Sequence, residues 1–244
     1  MATRIGILGA AGRMGRAVAK VIEMRNETAL GGSADAGDDA VAAARASQVL
    51  IDFSTPAALA GNLDAAMEAG VGLVIGTTGL GAEHDAGIEA AARHIPVLQA
   101  ANMSLGVNLL AHLVRETAAR LGEDWDIEIV ELHHRHKVDA PSGTALLLGE
   151  AAAQGRGVDL GVVGDRGRDG ITGARAPGRI GFASLRGGSA AGDHQVLFAG
   201  EGERIELGHR AESRTIFAHG AVKAALWLRD KPPGRYTMQD VLGL

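Results

Sequence analysis

Short apolar runs alternate with helix-like segments through the first hundred residues, and this alternation restricts the fold more than any other feature of the chain. The apolar runs span 4–8, 29–34, 49–54, 71–75 and 95–99. Helical patterns separate them at about 13–24, 56–69 and 82–93. Continuously apolar strands that are joined by helices form a parallel sheet covered on both faces. We therefore predict a doubly wound α/β domain.

The pattern changes after a helix predicted over 105–121. The run 125–132 has mixed polarity and places Ile127 and Ile129 on one face. Further elements are predicted as a helix at 144–154, a glycine-rich loop at 155–178 and strands at 179–186, 195–199 and 204–210. Strands of this kind form sheets with one open face. We predict a second, smaller α+β domain with an open mixed sheet, followed by a helix at 214–228 that returns to the first domain.

The composition excludes several classes of function. The chain has no cysteine among its 244 residues, which rules out disulfide frameworks, iron–sulfur clusters and thiolate nucleophiles. Its 24 basic and 29 acidic side chains give a formal net charge of −5, without the basic stripe typical of nucleic-acid-binding proteins. No apolar run approaches the ~18–20 residues that a membrane span needs. We expect a soluble, cytoplasmic protein that binds neither nucleic acid nor membrane.

A glycine-rich loop follows the first predicted strand and opens a helix: Gly9-Ala10-Ala11-Gly12-Arg13-Met14-Gly15. Gly12 and Gly15 match the last two glycines of the dinucleotide-binding fingerprint, while the first glycine is displaced by one residue. The N-terminus of the helix supplies N–H groups and a partial positive charge for a pyrophosphate. Because 36 glycines make chance matches easy, a plain strand-to-helix turn is the alternative for the loop alone.

An acidic residue strengthens the dinucleotide hypothesis. Asp35 lies 20 residues after Gly15, at the end of the second predicted strand, where a carboxylate accepts hydrogen bonds from ribose hydroxyls. Ligands of such sheets lie outside the carboxyl ends of the strands. Two segments at such ends are therefore expected to line the cofactor crevice, Gly76-Thr77-Thr78 and Ala100-Ala101-Asn102-Met103.

A basic cluster follows the strand at 125–132. Three of the nine histidines fall within four residues, in the run His133-His134-Arg135-His136-Lys137. One interpretation is a solvated basic loop. A second is a metal site formed by His134, His136 and Asp139, although no further ligand pair with typical spacing is present, and we predict no metal. The third is a site for a small acid, with histidine or lysine as the proton donor.

The next helix begins directly after this cluster, at Pro141-Ser142-Gly143-Thr144. Ser142 or Thr144 can cap the helix, and the backbone N–H groups of Gly143 and Thr144 can hold a carboxylate. A cationic loop next to an anion-binding helix start indicates a dicarboxylate ligand.

The segment His133-His134-Arg135-His136-Lys137-Val138-Asp139-Ala140-Pro141-Ser142-Gly143-Thr144-Ala145 resembles the signature of the 4-hydroxy-tetrahydrodipicolinate reductase family. The likeness extends to 9–15, 76–78, 100–107 and 214–228, and so covers essentially the whole chain. It implies NAD(P)H-dependent reduction of the cyclic dicarboxylate 4-hydroxy-tetrahydrodipicolinate, with loss of water, in lysine and diaminopimelate biosynthesis. It also implies a homotetramer, a Rossmann-like dinucleotide-binding domain of 1–103 with 215–244, and a substrate-binding and tetramerisation domain of 104–214.

The same resemblance implies roles for individual residues. His133 would be the acid/base residue and Lys137 the proton donor. The substrate carboxylates would be bound by His134, Gly143 and Thr144. The cofactor would be bound by Gly9, Ala10, Ala11, Gly12, Arg13, Met14, Asp35, Gly76, Thr77, Thr78, Ala100, Ala101, Asn102 and Met103.

One position departs from the family pattern. Members that accept the 2′-phosphate of NADPH often carry arginine directly after the acidic residue, whereas Ala36 follows Asp35 here. We therefore expect NADH to be preferred and NADPH to be possible, with Arg13 as a cation that can partly compensate. Two alternative functions remain open, a dehydrogenase of the same plan that acts on another small acid and a cofactor-sensing protein without turnover.

Overall fold

The computed structural model describes all 244 residues, which form two sheets with surrounding helices. The strands are β1 (Thr3–Leu8), β2 (Thr28–Ala34), β3 (Val49–Asp52), β4 (Gly72–Ile75), β5 (Pro96–Gln99), β6 (Asp126–His133), β7 (Gly164–Asp165), β8 (Ile180–Arg186), β9 (Asp193–Ala199), β10 (Arg204–Arg210) and β11 (Gly234–Tyr236). The helices are α1 (Arg13–Glu23), α2 (Ala40–Arg45), α3 (Leu59–Ala69), α4 (Ala82–Ala92), α5 (Leu105–Arg120), α6 (Gly143–Arg156), α7 (Leu160–Val163), α8 (Thr215–Leu228) and α9 (Met238–Leu242). None of these helices combines the length and the apolar composition that crossing a membrane requires.

The first sheet has six strands in the order β11-β5-β4-β3-β1-β2, and every pair is parallel. All four residues of β3 and all four of β4 are buried. Side chains of α1 and α8 pack in one core cluster with the sheet, and side chains of α2, α3 and α4 pack in another. Two separate clusters on one sheet mean that both faces are covered. The predicted doubly wound parallel fold is confirmed.

The second sheet is mixed, with the order β10-β9-β6-β8-β7. The pairs of β9 with β6 and β10 are antiparallel, whereas β8 is parallel to β6 and β7. Exposure alternates along β6, so that Ile127 and Ile129 are buried and Val130 and Leu132 are half-buried. Helices α5 and α6 contribute to the core cluster on the buried face. The predicted open mixed sheet is confirmed.

The chain divides into two compact units. The first comprises Met1–Leu105 together with Thr215–Leu244, and the second comprises Gly106–Arg214. The first sheet lies in the first unit and the second sheet in the second. The residues that the sequence singled out for the cofactor belong to the first unit, and those singled out for the substrate belong to the second.

The segment 155–178, predicted as a loop throughout, is partly ordered, and the prediction is wrong there. It contains α7, which Asp159 caps by accepting a hydrogen bond from the Gly161 N–H at 2.7 Å. It also contains β7, whose two residues pair with Ile180 and Gly181 of β8. Both elements lie in a glycine-rich segment, and each is too short to produce a periodic pattern in the sequence.

Candidate active site

The glycine loop between β1 and α1 has a backbone that leaves little room for side chains. Gly9 has a φ of +80°, and a Cβ atom at Gly15 would lie 2.2 Å from the Gly9 carbonyl oxygen. Gly12 is the N-cap of α1, and no side chain caps this helix. The first turn of α1 is therefore available to an anion, and the tight loop fits the close approach of a dinucleotide pyrophosphate.

The structure places Asp35 directly beside this loop. Both of its carboxylate oxygens accept a hydrogen bond from the Ala11 N–H, each at 3.0 Å. The backbone N–H of Asp35 in turn donates to a carboxylate oxygen of Asp38 at 2.9 Å. The carboxylate is thus oriented by backbone at the end of β2. Ala36, the next residue, is exposed and carries no charge.

The two segments at the ends of β4 and β5 lie side by side. The Ala100 N–H donates to the Ile75 carbonyl oxygen at 3.1 Å, which joins the start of one segment to the strand before the other. The Thr77 hydroxyl faces inward and donates to Asp52 Oδ1 at 3.1 Å. Asp52 is fully buried and also accepts from Asn62 Nδ2 at 3.0 Å. Thr77 is therefore fixed through its side chain, and Thr78 is the exposed threonine of the pair.

In the second unit, β6 ends at His133, and its Nδ1 lies 2.5 Å from Glu131 Oε2. Glu131 is 1% exposed, and Arg186 donates to both of its oxygens, at 2.9 and 3.0 Å. Burial alone would raise the pKa of Glu131, but the hydrogen bonds from Arg186 and His133 outweigh it and lower the pKa. An ionised Glu131 requires a proton on His133 Nδ1. The Nε2 atom is then the one available for proton exchange.

The turn that follows β6 concentrates positive charge. Lys137 Nζ donates to Asp139 Oδ1 at 2.8 Å, and this hydrogen bond lowers the pKa of Asp139. Partial burial, followed by the nearby cation Arg214, lowers the pKa of His134. These histidine, lysine and arginine groups lie close enough to influence one another, as a site for an anionic ligand requires. His134, His136 and Asp139 do not form a group that can hold a metal ion.

The start of α6 is joined to His133 through Glu131. Ser142 is the N-cap, and its Oγ accepts a hydrogen bond from the Ala145 N–H at 3.1 Å. The Ser142 N–H donates to Glu131 Oε1 at 3.2 Å. Of the two capping candidates, Ser142 rather than Thr144 is therefore the cap. The first turn of α6 lies next to the buried carboxylate that contacts His133.

Sequence reasoning did not identify Glu131, Arg186 or His194 as members of this network. Glu131 has a local signal, because residues two apart on a strand share a face, and His133 is two residues away. Arg186 and His194 have none, since their contacts with Glu131 and Ser142 span 55 and 52 residues. Their positions follow from strand pairing in the second sheet.

A parallel sheet whose first strand leads into a glycine loop, with a carboxylate beside that loop, is the arrangement found in dinucleotide-dependent oxidoreductases. The family profile described as "Dihydrodipicolinate reductase, N-terminus" matches residues 3–103, and the one described as "Dihydrodipicolinate reductase, C-terminus" matches residues 106–242. The chain belongs to the dihydrodipicolinate reductase family, whose members are NAD(P)H-dependent oxidoreductases.

Named relatives agree with this assignment. The chain is 60% identical over 247 residues to 4-hydroxy-tetrahydrodipicolinate reductase of Zymomonas mobilis subsp. mobilis, covering 99% of this chain and 97% of the relative. It is 53% identical to the enzyme of that name from Parvibaculum lavamentivorans, covering 99% and 98%. Among solved structures, dipicolinate-bound dihydrodipicolinate reductase from Paenisporosarcina sp. TG-14 has the same fold, with a TM-score of 0.81 and 24% identity over 98% of this chain and 99% of that one.

Proposed function

We propose that the chain reduces 4-hydroxy-tetrahydrodipicolinate to tetrahydrodipicolinate with NAD(P)H, with loss of water, as a step of lysine and diaminopimelate biosynthesis. Family membership and the names of the relatives support this substrate. The observation that carries the proposal is the buried Glu131–His133 pair, which lies beside the start of α6 and the cationic turn. A proton-exchanging histidine next to groups that bind carboxylates suits a cyclic dicarboxylate.

The dinucleotide would be held by the first unit. The proposed contacts are the loop Gly9–Met14 for the pyrophosphate, Asp35 for the adenosine ribose, and the segments Gly76–Thr78 and Ala100–Met103 at the carboxyl ends of β4 and β5. When bound, the nicotinamide supplies a hydride to the substrate. The tight backbone packing of the glycine loop and the uncapped start of α1 support this assignment.

In the second unit, His134, Gly143 and Thr144 would bind the substrate carboxylates and fix the ring. Lys137 would stabilise the electron density that reduction leaves on the ring, and would then donate a proton to it. Its salt bridge with Asp139 holds the ammonium group in the same turn as His134. His133 would act as the acid/base residue, with Glu131 keeping its ring oriented.

The test is NADH oxidation in an assay coupled to a synthase that makes the substrate from pyruvate and aspartate semialdehyde. We expect turnover that requires both substrates of the synthase. A panel of other small cyclic and open-chain acids should give little or no NADH oxidation. Faster turnover of another acid would favour a different dehydrogenase, and dinucleotide binding without any turnover would favour a sensing protein.

The proposal includes a preference for NADH. Asp35 would gain charge-assisted hydrogen bonds of about 1.5–3 kcal/mol from the ribose diol. With NADPH, repulsion between the carboxylate and the 2′-phosphate is about 4 kcal/mol per charge pair at ~4 Å and an effective dielectric constant of ~20. We expect kcat/KM to favour NADH by at least about tenfold. Ala36→Arg should narrow this gap by improving NADPH, and equal use of both cofactors by the unaltered protein would contradict the preference.

We also propose a homotetramer formed through the second sheet. Leu132 and Leu185 are paired in register on the open face, and Leu185 is 51% exposed. Four copies that join these faces would cover apolar surface and the exposed edge strand β10. Light scattering should give about four times the chain mass of 25.0 kDa. Leu185→Asp should shift the mass downward, whereas a stable monomer of the unaltered chain would refute the proposal.

A further inference from the structure

A second histidine, His194, lies in the protein interior next to His133. It belongs to β9, where it shares the buried face of the sheet with Val196 and Phe198, and it is only 5% exposed. Its ring meets the His133 ring edge to face, with 5.0 Å between centroids. Its Nε2 lies 3.1 Å from Ser142 Oγ, while its Nδ1 is buried without a hydrogen-bond partner. The contact with Ser142 is thus the one polar interaction that fixes this ring.

Ser142 is the residue through which His194 acts on its surroundings. The same hydroxyl oxygen that contacts His194 accepts the Ala145 N–H and so closes the first turn of α6. The backbone N–H of Ser142 donates to Glu131, which contacts His133. His194, Ser142, Glu131 and His133 therefore contact one another in a ring, which the contact between the two imidazole rings closes.

We propose that His194 is a positioning residue that fixes the first turn of α6 through Ser142 and supports the His133 ring from the side. This inference rests on the proposed function, in which Gly143 and Thr144 of that turn hold a substrate carboxylate. A shift of the turn would move the carboxylate-binding N–H groups relative to His133. His194 therefore acts through Ser142 to set the distance between the carboxylate-binding N–H groups of α6 and His133.

The surroundings of His194 keep it neutral. Burial is the largest cause, and together with the nearby groups His133, His209 and Lys137 it lowers the pKa of His194 to about 4, against the opposing effect of Glu131. Glu131 hydrogen-bonds to His133 but not to His194. The two neighbouring histidines thereby differ in their polar partners, because only His133 has a carboxylate within hydrogen-bond distance.

The experiment compares ligand affinities of His194→Leu and His194→Gln in the full-length protein, with dipicolinate as the probe for the substrate site. Loss of the Ser142 contact in His194→Leu should raise the Kd for dipicolinate and the KM for substrate about tenfold. The decrease in kcat should be smaller, and the Kd for NADH should stay within twofold. The Gln side chain can still reach Ser142 Oγ, so His194→Gln should recover most of the affinity.

A double-mutant cycle separates positioning from general loss of structure. Ser142→Ala should weaken dipicolinate binding to a similar degree, and the double variant with His194→Leu should be no weaker than either single one. His209→Leu is the matched control, because His209 pairs in register with His194 on β10 and has no hydrogen bond to α6. It should bind dipicolinate normally.

Three results would overturn the inference: wild-type affinity in His194→Leu, no recovery in His194→Gln, or additive losses in the cycle. If His194→Leu does not fold, the Gln and Ser142→Ala variants still decide the question. If the unaltered protein binds dipicolinate but does not oxidise NADH, the proposed function is rejected. The double-mutant cycle would then still test the positioning role of His194 through dipicolinate affinity. No dipicolinate binding by the unaltered protein would reject both.

Discussion

The two sheets present their functional groups in different ways. In the first sheet, β3 and β4 are buried on both faces, and the candidate cofactor residues lie in the loops that follow the strands. In the second sheet, the strands themselves carry Glu131, His133 and His194 on the face that packs against helices. Ligand binding proposed for the first unit relies mainly on backbone N–H groups and on glycines that allow close approach. The chemistry proposed for the second unit relies on side-chain charge and hydrogen bonding.

This difference follows from how each sheet is covered. Helices on both faces of the first sheet leave no room for ionisable groups in the buried strands β3 and β4, except at the end of β3, where Asp52 lies. A sheet with one buried face can place polar side chains at alternate positions, provided that each finds a partner. Changes to side chains should therefore affect chemistry in the second unit, and changes to glycines should affect binding in the first.

The largest expected effect is on turnover. His133→Gln and Lys137→Met should each lower kcat by about 10²–10⁴-fold, because each removes a proposed proton-transfer group. The Kd for NADH, measured by fluorescence titration, should stay within twofold. Lys223→Met, at an exposed lysine of α8, is the control and should leave kcat unchanged. Near-normal turnover in both site variants would show that proton transfer does not depend on side chains of the second unit.

The next effect concerns stability and pH. The pKa of His194 is about 4 in the folded protein, whereas an unfolded histidine has a pKa of about 6.5. Between these values the unfolded chain binds a proton that the folded chain does not bind. The free energy of unfolding should therefore fall as the pH drops from about 6.5 to 4, by about 3 kcal/mol from this residue. Below that range the contribution no longer changes.

Urea denaturation at several pH values between 7 and 4 measures this dependence. His194→Gln should flatten the decline, since glutamine does not titrate. The variant His94→Gln, at an exposed histidine, controls for the loss of one imidazole and should keep the decline. If the free energy of unfolding of His194→Gln falls with pH as steeply as that of the unaltered protein, other groups cause the acid sensitivity.

The smallest effect compares two helical glycines of the first unit. Gly15→Ala places a Cβ atom 2.2 Å from the Gly9 carbonyl oxygen, so the loop must shift. The Kd for NADH should rise about 10- to 100-fold, with little change in dipicolinate affinity. Gly61→Ala is the matched control, because no atom lies within 4 Å of its Cβ position. It should bind NADH normally and gain about 0.5–1 kcal/mol of stability from helix propensity.

The sequence predicted those parts of the molecule whose signals are local. The parallel strands follow from apolar runs such as 49–52, and Asp35 was identified by its spacing from the glycine loop. Neighbouring residues also narrowed the cap of α6 to Ser142 or Thr144, and Ser142 is the cap in the structure. The helices α2 and α9 were not predicted, because five or six residues are too few to show a helical period. The strand β11 was not predicted either, because it lacks an apolar run like that of β3.

The buried network of the second unit was not predictable in the same way. Arg186 contacts Glu131 only because β8 pairs with β6 in a register that places Arg186 opposite His133. His194 meets Ser142 because β9 pairs with the other side of β6. Residue types alone do not determine strand order or register in a mixed sheet. The side chains that orient the proposed acid/base residue therefore become visible only in the folded chain.

The division of the chain has a consequence for its synthesis. The second unit is one continuous segment, Gly106–Arg214, whereas the first needs both Met1–Leu105 and Thr215–Leu244. Until α8 leaves the ribosome, the face of the first sheet that packs against Ala218, Ala221 and Val222 is covered by α1 but lacks α8. Strand β5 likewise lacks its neighbour β11 until then. The unit that is translated first is therefore the last to complete its core, and the part of its sheet that α8 later covers is the surface on which a nascent-chain chaperone would act.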